Sequence, residues 1–87
     1  MISKKVIVKN ATGLHLRAAG NFCKEAMKYS SSINFTFKEN TYNAKSVLSV
    51  LASLVKCGDE IEIHCDGADE EEALDQLVSA VESGLGE

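Results

Sequence analysis

Hydrophobic and polar positions alternate in some stretches of the chain and recur at helical spacing in others. Residues 2 to 8 alternate loosely and end in the β-branched run Val6, Ile7, Val8, which predicts a first strand with one face buried. Ile33, Phe35 and Phe37 alternate strictly with Asn34 and Thr36, the pattern of a half-buried strand. Lys38, Glu39 and Asn40 then read as a hairpin turn into a short third strand through Tyr42. Ile61, Ile63 and Cys65 alternate with Glu60, Glu62 and His64 and predict a fourth strand, with His64 outward as a surface residue.

Between these strands the period changes. From Leu16 to about Met27, Ala19, Phe22, Cys23 and Ala26 fall on one helical face, after the turn residues Asn10, Ala11, Thr12 and Gly13. A short second helix is expected after Lys45, with Ser46 as its cap. Val47, Val50, Ala52, Leu54 and Val55 would form its buried face, and Leu48 and Leu51 are surplus, expected in water. An exposed apolar patch of that kind commonly marks a partner site. Gly58 reads as a stop or turn. Asp69 and Glu72 form a D-x-x-E capping box ahead of a stripe through Leu74, Leu77, Val78 and Val81. The predicted order is βαββαβα, an α+β two-layer sandwich in which helices cover one side of an antiparallel sheet.

Composition narrows the function classes. At 87 residues, 45% hydrophobic, 25% charged and without proline, the chain suits one globular domain over residues 1–87. A net charge of −4 and a pI near 5.1 argue against nucleic acid, whose phosphates need clustered cations. The acidity is uneven: Asp66, Asp69, Glu70, Glu71, Glu72 and Asp75 crowd the last third, whereas His15, Arg17, Lys24 and Lys28 leave residues 15 to 28 locally basic. Cys23, Cys57 and Cys65 have neither disulfide nor zinc spacing and are expected to be reduced core thiols. With neither a leader-like N-terminus nor a run of about 20 apolar residues, the expected compartment is the cytoplasm, without membrane insertion. No metal or cofactor is implied, Gly86-Glu87 reads as a frayed tail, and a monomer is expected.

The candidate chemistry lies in Thr12-Gly13-Leu14-His15-Leu16-Arg17. His15 would stand at a helix start just after a glycine turn, where backbone amides without intrahelical acceptors favour negative charge. A neutral imidazole there is a nucleophile toward phosphorus. Arg17 offers a planar fork of donors to phosphate oxygens, and Thr12 a hydroxyl. Spacing alone, in a motif this short, favours a histidine that only caps the helix and an arginine that is only a solvated charge.

Residues 13 to 19, Gly-Leu-His-Leu-Arg-Ala-Ala, resemble the active-site segment of the HPr phosphocarrier family, usually Gly-Leu-His-Ala-Arg-Pro-Ala. Ala44-Lys45-Ser46-Val47-Leu48 resembles that family's regulatory-serine segment, and Gly58-Asp59-Glu60-Ile61 and Gly67 through Leu74 resemble its last strand and helix start. The resemblance spans nearly the whole chain. It implies an open-faced sandwich, with three helices on one face of a four-stranded antiparallel sheet. It also implies that His15 accepts a phosphoryl group at Nδ1 from phospho-Enzyme I and passes it to sugar-specific Enzyme II (IIA) components, with Arg17 as electrostatic partner. On that basis the chain would be a carrier rather than an enzyme, with no cofactor. Leu16, Gly20, Lys24, Val47, Leu48 and Leu51 are assigned to the partner-docking patch. Ser46 has two readings, a helix cap or a regulatory site addressed by an HPr kinase/phosphorylase and read by a catabolite control protein. Two residues depart from the family pattern: Ala18 stands where proline is usual, and Leu16 replaces a small residue. Competing functions are a small phosphatase using His15 and Arg17, and a regulatory paralogue that binds a transcription factor without phosphoryl relay.

Overall fold

The computed structural model describes residues 1–86. Its elements are β1 (Ile2–Ile7), α1 (Leu16–Ala26), β2 (Ser32–Phe37), β3 (Asn40–Asn43), α2 (Val47–Ala52), β4 (Glu60–Asp66) and α3 (Glu70–Glu82). The strands form one antiparallel sheet in the order β1-β4-β2-β3. The helices cover one face: α3 packs on β1 and β4, α2 reaches β3, and α1 lies against both other helices. The expected open-faced sandwich is what forms.

Alternation explains the sheet. Val6, Ile33, Phe35, Phe37, Ile61, Ile63 and Cys65 point inward and are buried. Their neighbours make the polar outer face, where Lys5, Glu62, Thr36 and Thr41 lie in one cross-strand row. His64 lies on this face, half-buried, 3.1 Å from the Thr36 hydroxyl and 3.4 Å from Glu62. From the helices come Ala19, Phe22, Ala26, Leu74, Leu77, Val78 and Val81, all buried. Phe22 meets Phe35 edge-on at 5.6 Å, and Phe35 stacks on Tyr42 at 5.3 Å. Complete burial of each large apolar side chain contributes roughly 1.5 to 3 kcal/mol.

Several expectations are corrected. The first strand stops at Ile7, one residue early, because Val8 bonds to the 56–59 turn: its amide donates to Asp59 O at 2.9 Å, and its carbonyl accepts from Gly58 N at 2.7 Å. The hairpin turn is Lys38–Glu39, with positive φ of 49° and 71°, and Asn40 already belongs to β3. Of the face expected for α2, Val50 and Val55 are buried, but Ala52 is exposed, Val55 and Leu54 lie beyond the helix, and Leu54 is 73% exposed. Leu48 is in water, whereas Leu51 is partly buried against the core. Cys23 and Cys65 are core thiols, but Cys57 is exposed, its Sγ 3.5 Å from Lys9 O. Burial pushes the Cys65 thiol up to about 11, which keeps it protonated and inert. Of the expected frayed tail, Gly86 is exposed and Glu87 lies outside the described residues.

The capping box does not form. Asp69 occupies the N-cap of α3, yet its carboxylate turns to the loop before β2, accepting from Ser30 N at 2.9 Å, Ser31 N at 3.0 Å and the Ser31 hydroxyl. Three donors from one loop outcompete a single local amide. The Ser31 hydroxyl first, then the Ser30 and Ser31 amides, hold this carboxyl below the usual carboxylate range. Such a group supports the fold fully above its unfolded titration and loses that support as pH falls through its folded one. Asp69→Asn should therefore lower the thermal midpoint at pH 7 and flatten its decline below about pH 4. An acid limb as steep as that of the unsubstituted chain would remove Asp69 from this role.

Candidate functional site

The β1–α1 connection is built around a close approach of two backbones. Gly13 N donates to Asn10 O at 2.9 Å, closing a turn that the buried Asn10 amide clasps by donating to Gly13 O. Gly13 has φ of 65°, and a Cβ there would lie 2.7 Å from Lys56 Cα and nearer still to Val55 O. Only glycine tolerates both the angle and the contact. Leu14 N then donates to Val55 O at 3.0 Å, and the Leu14 side chain is buried.

This anchoring delivers His15 to the N-cap of α1. Its backbone is extended (φ −77°, ψ −179°), its carbonyl accepts from Ala19 N at 2.7 Å, and its ring makes no capping hydrogen bond. The imidazole is exposed. The amides of Leu16, Arg17 and Ala18 open the helix, where the geometry provides no intrahelical acceptor, and no acidic side chain occupies this first turn. Ala18 is buried, so the position that is usually proline in the resembled family serves here as a packed helix start. Arg17 is exposed, and among the described residues no carboxylate pairs with it.

Beside the ring lies an open depression of about 190 Å³ lined by Thr12, Leu14, His15, Leu51, Leu54, Val55 and Lys56. The structure thus brings Thr12 and His15 to one recess and leaves Arg17 outside its lining. The volume is below the roughly 300 Å³ where small-molecule sites begin, which weighs against a phosphatase. Among the described residues, no group of three or more His, Cys, Asp and Glu side chains is arranged to hold a metal ion. No helix is long and apolar enough to cross a membrane.

The docking patch is partly displayed. Leu16 and Leu48 stand 62% and 80% exposed, and Lys24 is exposed, while Gly20, Val47 and Leu51 are half-buried. Ser46 caps α2 as expected, its Oγ accepting from Ser49 N at 3.2 Å. The segment before it is pinned to α1, with Cys23 Sγ donating to Lys45 O at 3.1 Å and Lys45 Nζ to Tyr29 O at 2.7 Å. Sequence reasoning missed Asn10, Lys56 and Leu54. The first two act through tertiary contacts that leave no local trace. The helical period places Leu54 on the buried face, yet it turns out of α2 with φ of 56°, a conformation costing a non-glycine residue roughly 1 to 2 kcal/mol.

Comparison with known proteins finds relatives that match nearly the whole chain. The family described as "PTS HPr component phosphorylation site" matches residues 2–83. The phosphocarrier protein HPr of Mycoplasma capricolum is 38% identical over 77 residues, 88% of this chain and 86% of that protein. The HPr-like protein Crh of Bacillus subtilis is 34% identical over 82 residues, covering 94% and 96%. The crystal structure of HPr-C-His from Thermoanaerobacter tengcongensis superposes with a TM-score of 0.96 at 38% identity, covering 100% of this chain and 98% of that one.

Gly13→Ala tests the anchoring. It should lower unfolding free energy by about 1 to 3 kcal/mol and speed hydrogen exchange at the Leu14 amide. Unchanged stability and protection would show that the two backbones separate freely.

Proposed function

The chain belongs to the PTS HPr family, and from that premise we propose that His15 is the group that carries its phosphoryl cargo. The observation that supports this most is the exposed imidazole at the start of α1, uncommitted to capping and beside amides that lack helical acceptors. Nδ1 attacks phosphorus; the N–P bond forms as the bond to the donor breaks, and the donor side chain leaves with its electron pair. Nε2 keeps its proton. The Arg17 guanidinium and the first-turn amides share the charge of the phosphoryl oxygens, and the Thr12 hydroxyl adds a donor. Transfer onward reverses the step on an acceptor side chain.

In this reading the donor is phospho-Enzyme I, charged from phosphoenolpyruvate, and the acceptors are sugar-specific IIA domains. The compartment is the cytoplasm. The chain is a stoichiometric carrier and not a free-standing catalyst, since each phosphoryl group it accepts must leave before the next arrives. Leu16, Gly20, Lys24, Val47, Leu48 and Leu51 form the surface on which partners seat. Ser46 is a regulatory site for a kinase of the HPr kinase/phosphorylase type, with a catabolite control protein as reader of the modified form. A phosphate there adds about −1.5 to −2 charges two residues from the exposed Leu48 and so hinders apolar docking.

Incubation with Enzyme I and phosphoenolpyruvate should yield one acid-labile phosphoryl adduct that is absent in His15→Ala. Its absence from the unsubstituted chain with active cognate Enzyme I refutes the proposal. Arg17→Ala should slow phosphoryl uptake about 10- to 100-fold, the value of a hydrogen bond to a charged group; an unaltered rate would exclude a role for the guanidinium. Leu48→Asp should slow transfer while leaving the thermal midpoint unchanged, since the side chain is 80% exposed. Kinetics identical to those of the parent chain would take Leu48 off the docking surface.

A further inference from the structure

We propose that Leu54 is a specificity-determining residue for phosphoryl exchange at His15, an apolar ridge that an incoming protein partner must accommodate to reach the imidazole. This rests on the carrier reading above.

Among the described residues, the non-glycine positions with positive φ are Lys38, Glu39, Leu54 and Leu85. Lys38 and Glu39 close the hairpin, which demands that geometry. Leu85 gains burial, at 3% exposure, and its carbonyl accepts from Asn21 Nδ2 at 2.6 Å. Leu54 gains neither. It follows the C-cap Ser53, with its amide 3.3 Å from Leu51 O, at the place where helices usually end in glycine. The turn explains the backbone angle but not the choice of leucine, whose side chain is 73% exposed. Stability of the free chain favours glycine or asparagine here. A strained residue in an unburied place points to function.

Its position says which function. Leu54 lines the depression that holds His15, and it also lines a second depression of about 280 Å³, with Phe37, Lys38, Asn40 and Tyr42. With Lys56, it therefore stands between the two. A protein that seats on His15 covers about 800 Å² of surface, and cannot do so without covering a side chain that borders the same recess. No carboxylate lines either depression, whereas Lys56 lines both and Lys38 one. The complementary partner surface presents an apolar notch for Leu54 flanked by acidic side chains. A partner lacking the notch meets the leucine first and is held off the imidazole, so Leu54 selects among partners.

The experiment compares the full chain with Leu54→Gly, Leu54→Asn and Leu54→Met, measuring thermal midpoint and steady-state transfer from the donor protein and to an acceptor protein. Leu54→Gly and Leu54→Asn should keep the midpoint or raise it by up to about 5 °C. They should raise KM for at least one partner about tenfold, with kcat within about twofold. Leu54→Met, which restores apolar bulk, should recover most of the KM. Unchanged KM for both partners overturns the proposal. So does a fall in midpoint that parallels the loss of transfer, which would make Leu54 a packing residue. If the unsubstituted chain takes up no phosphoryl group, the carrier reading fails and this inference with it; normal uptake with an indifferent Leu54→Gly sinks the inference alone.

Discussion

The contact on which the site depends is Gly13 seated against the backbone of Val55 and Lys56. Around it the chain is bonded into one block. Leu14 N holds Val55 O on one side, and the Asn10 amide holds Gly13 O on the other. Below, Asp59 closes the 56–59 turn, its carboxylate accepting from Lys56 N at 2.9 Å and its amide donating to Lys56 O at 3.0 Å. Asp59 O and Gly58 N then tie that turn to Val8, at the end of β1. The first residue of the helix site is thus fixed to the sheet through backbone bonds braced by two short side chains, Asn10 and Asp59. A functional group held this way keeps its position without a closed pocket around it.

Much of this architecture was legible because each strand buries one face only. In β2 and β4 every second residue is apolar, and a register slip by one would turn Ile33, Phe35, Ile61 and Ile63 to water. α1 and α3 span 11 and 13 residues, long enough for the helical period to show. α2 spans 6, fewer than two turns, and there the period says little about which leucine faces inward. Asp69 departs from its local pattern for another reason. Its local pattern with Glu72 was sound, but Ser30 and Ser31, distant in sequence, offered it more donors. Cys57 shows the same blindness, since composition carries no word about burial. The helix start after Gly13 made His15 and Arg17 candidates, but spacing alone favoured a cap and a solvated charge, and only their likeness to a family pattern reversed that.

The division of labour between the two long helices follows from one electrostatic rule. Each begins with amides that lack helical acceptors and a positive dipole end. In α3 the chain fills that end itself, placing Glu70, Glu71 and Glu72 in the first turn. Glu70 also bonds Gly67 N at 3.1 Å and lies 3.3 Å from the N-terminal ammonium, so its carboxyl is held below the usual range. In α1 the first turn has no acidic residue, and Arg17 adds a cation instead. The same backbone physics is spent on stability at one end of the molecule and left open at the other. A net charge of −4 is compatible with anion capture for this reason: three carboxylates satisfy the first turn of α3, whereas the first turn of α1 holds none. Introducing one carboxylate into the first turn of α1 would make that helix resemble α3, steadier and less open to an anion.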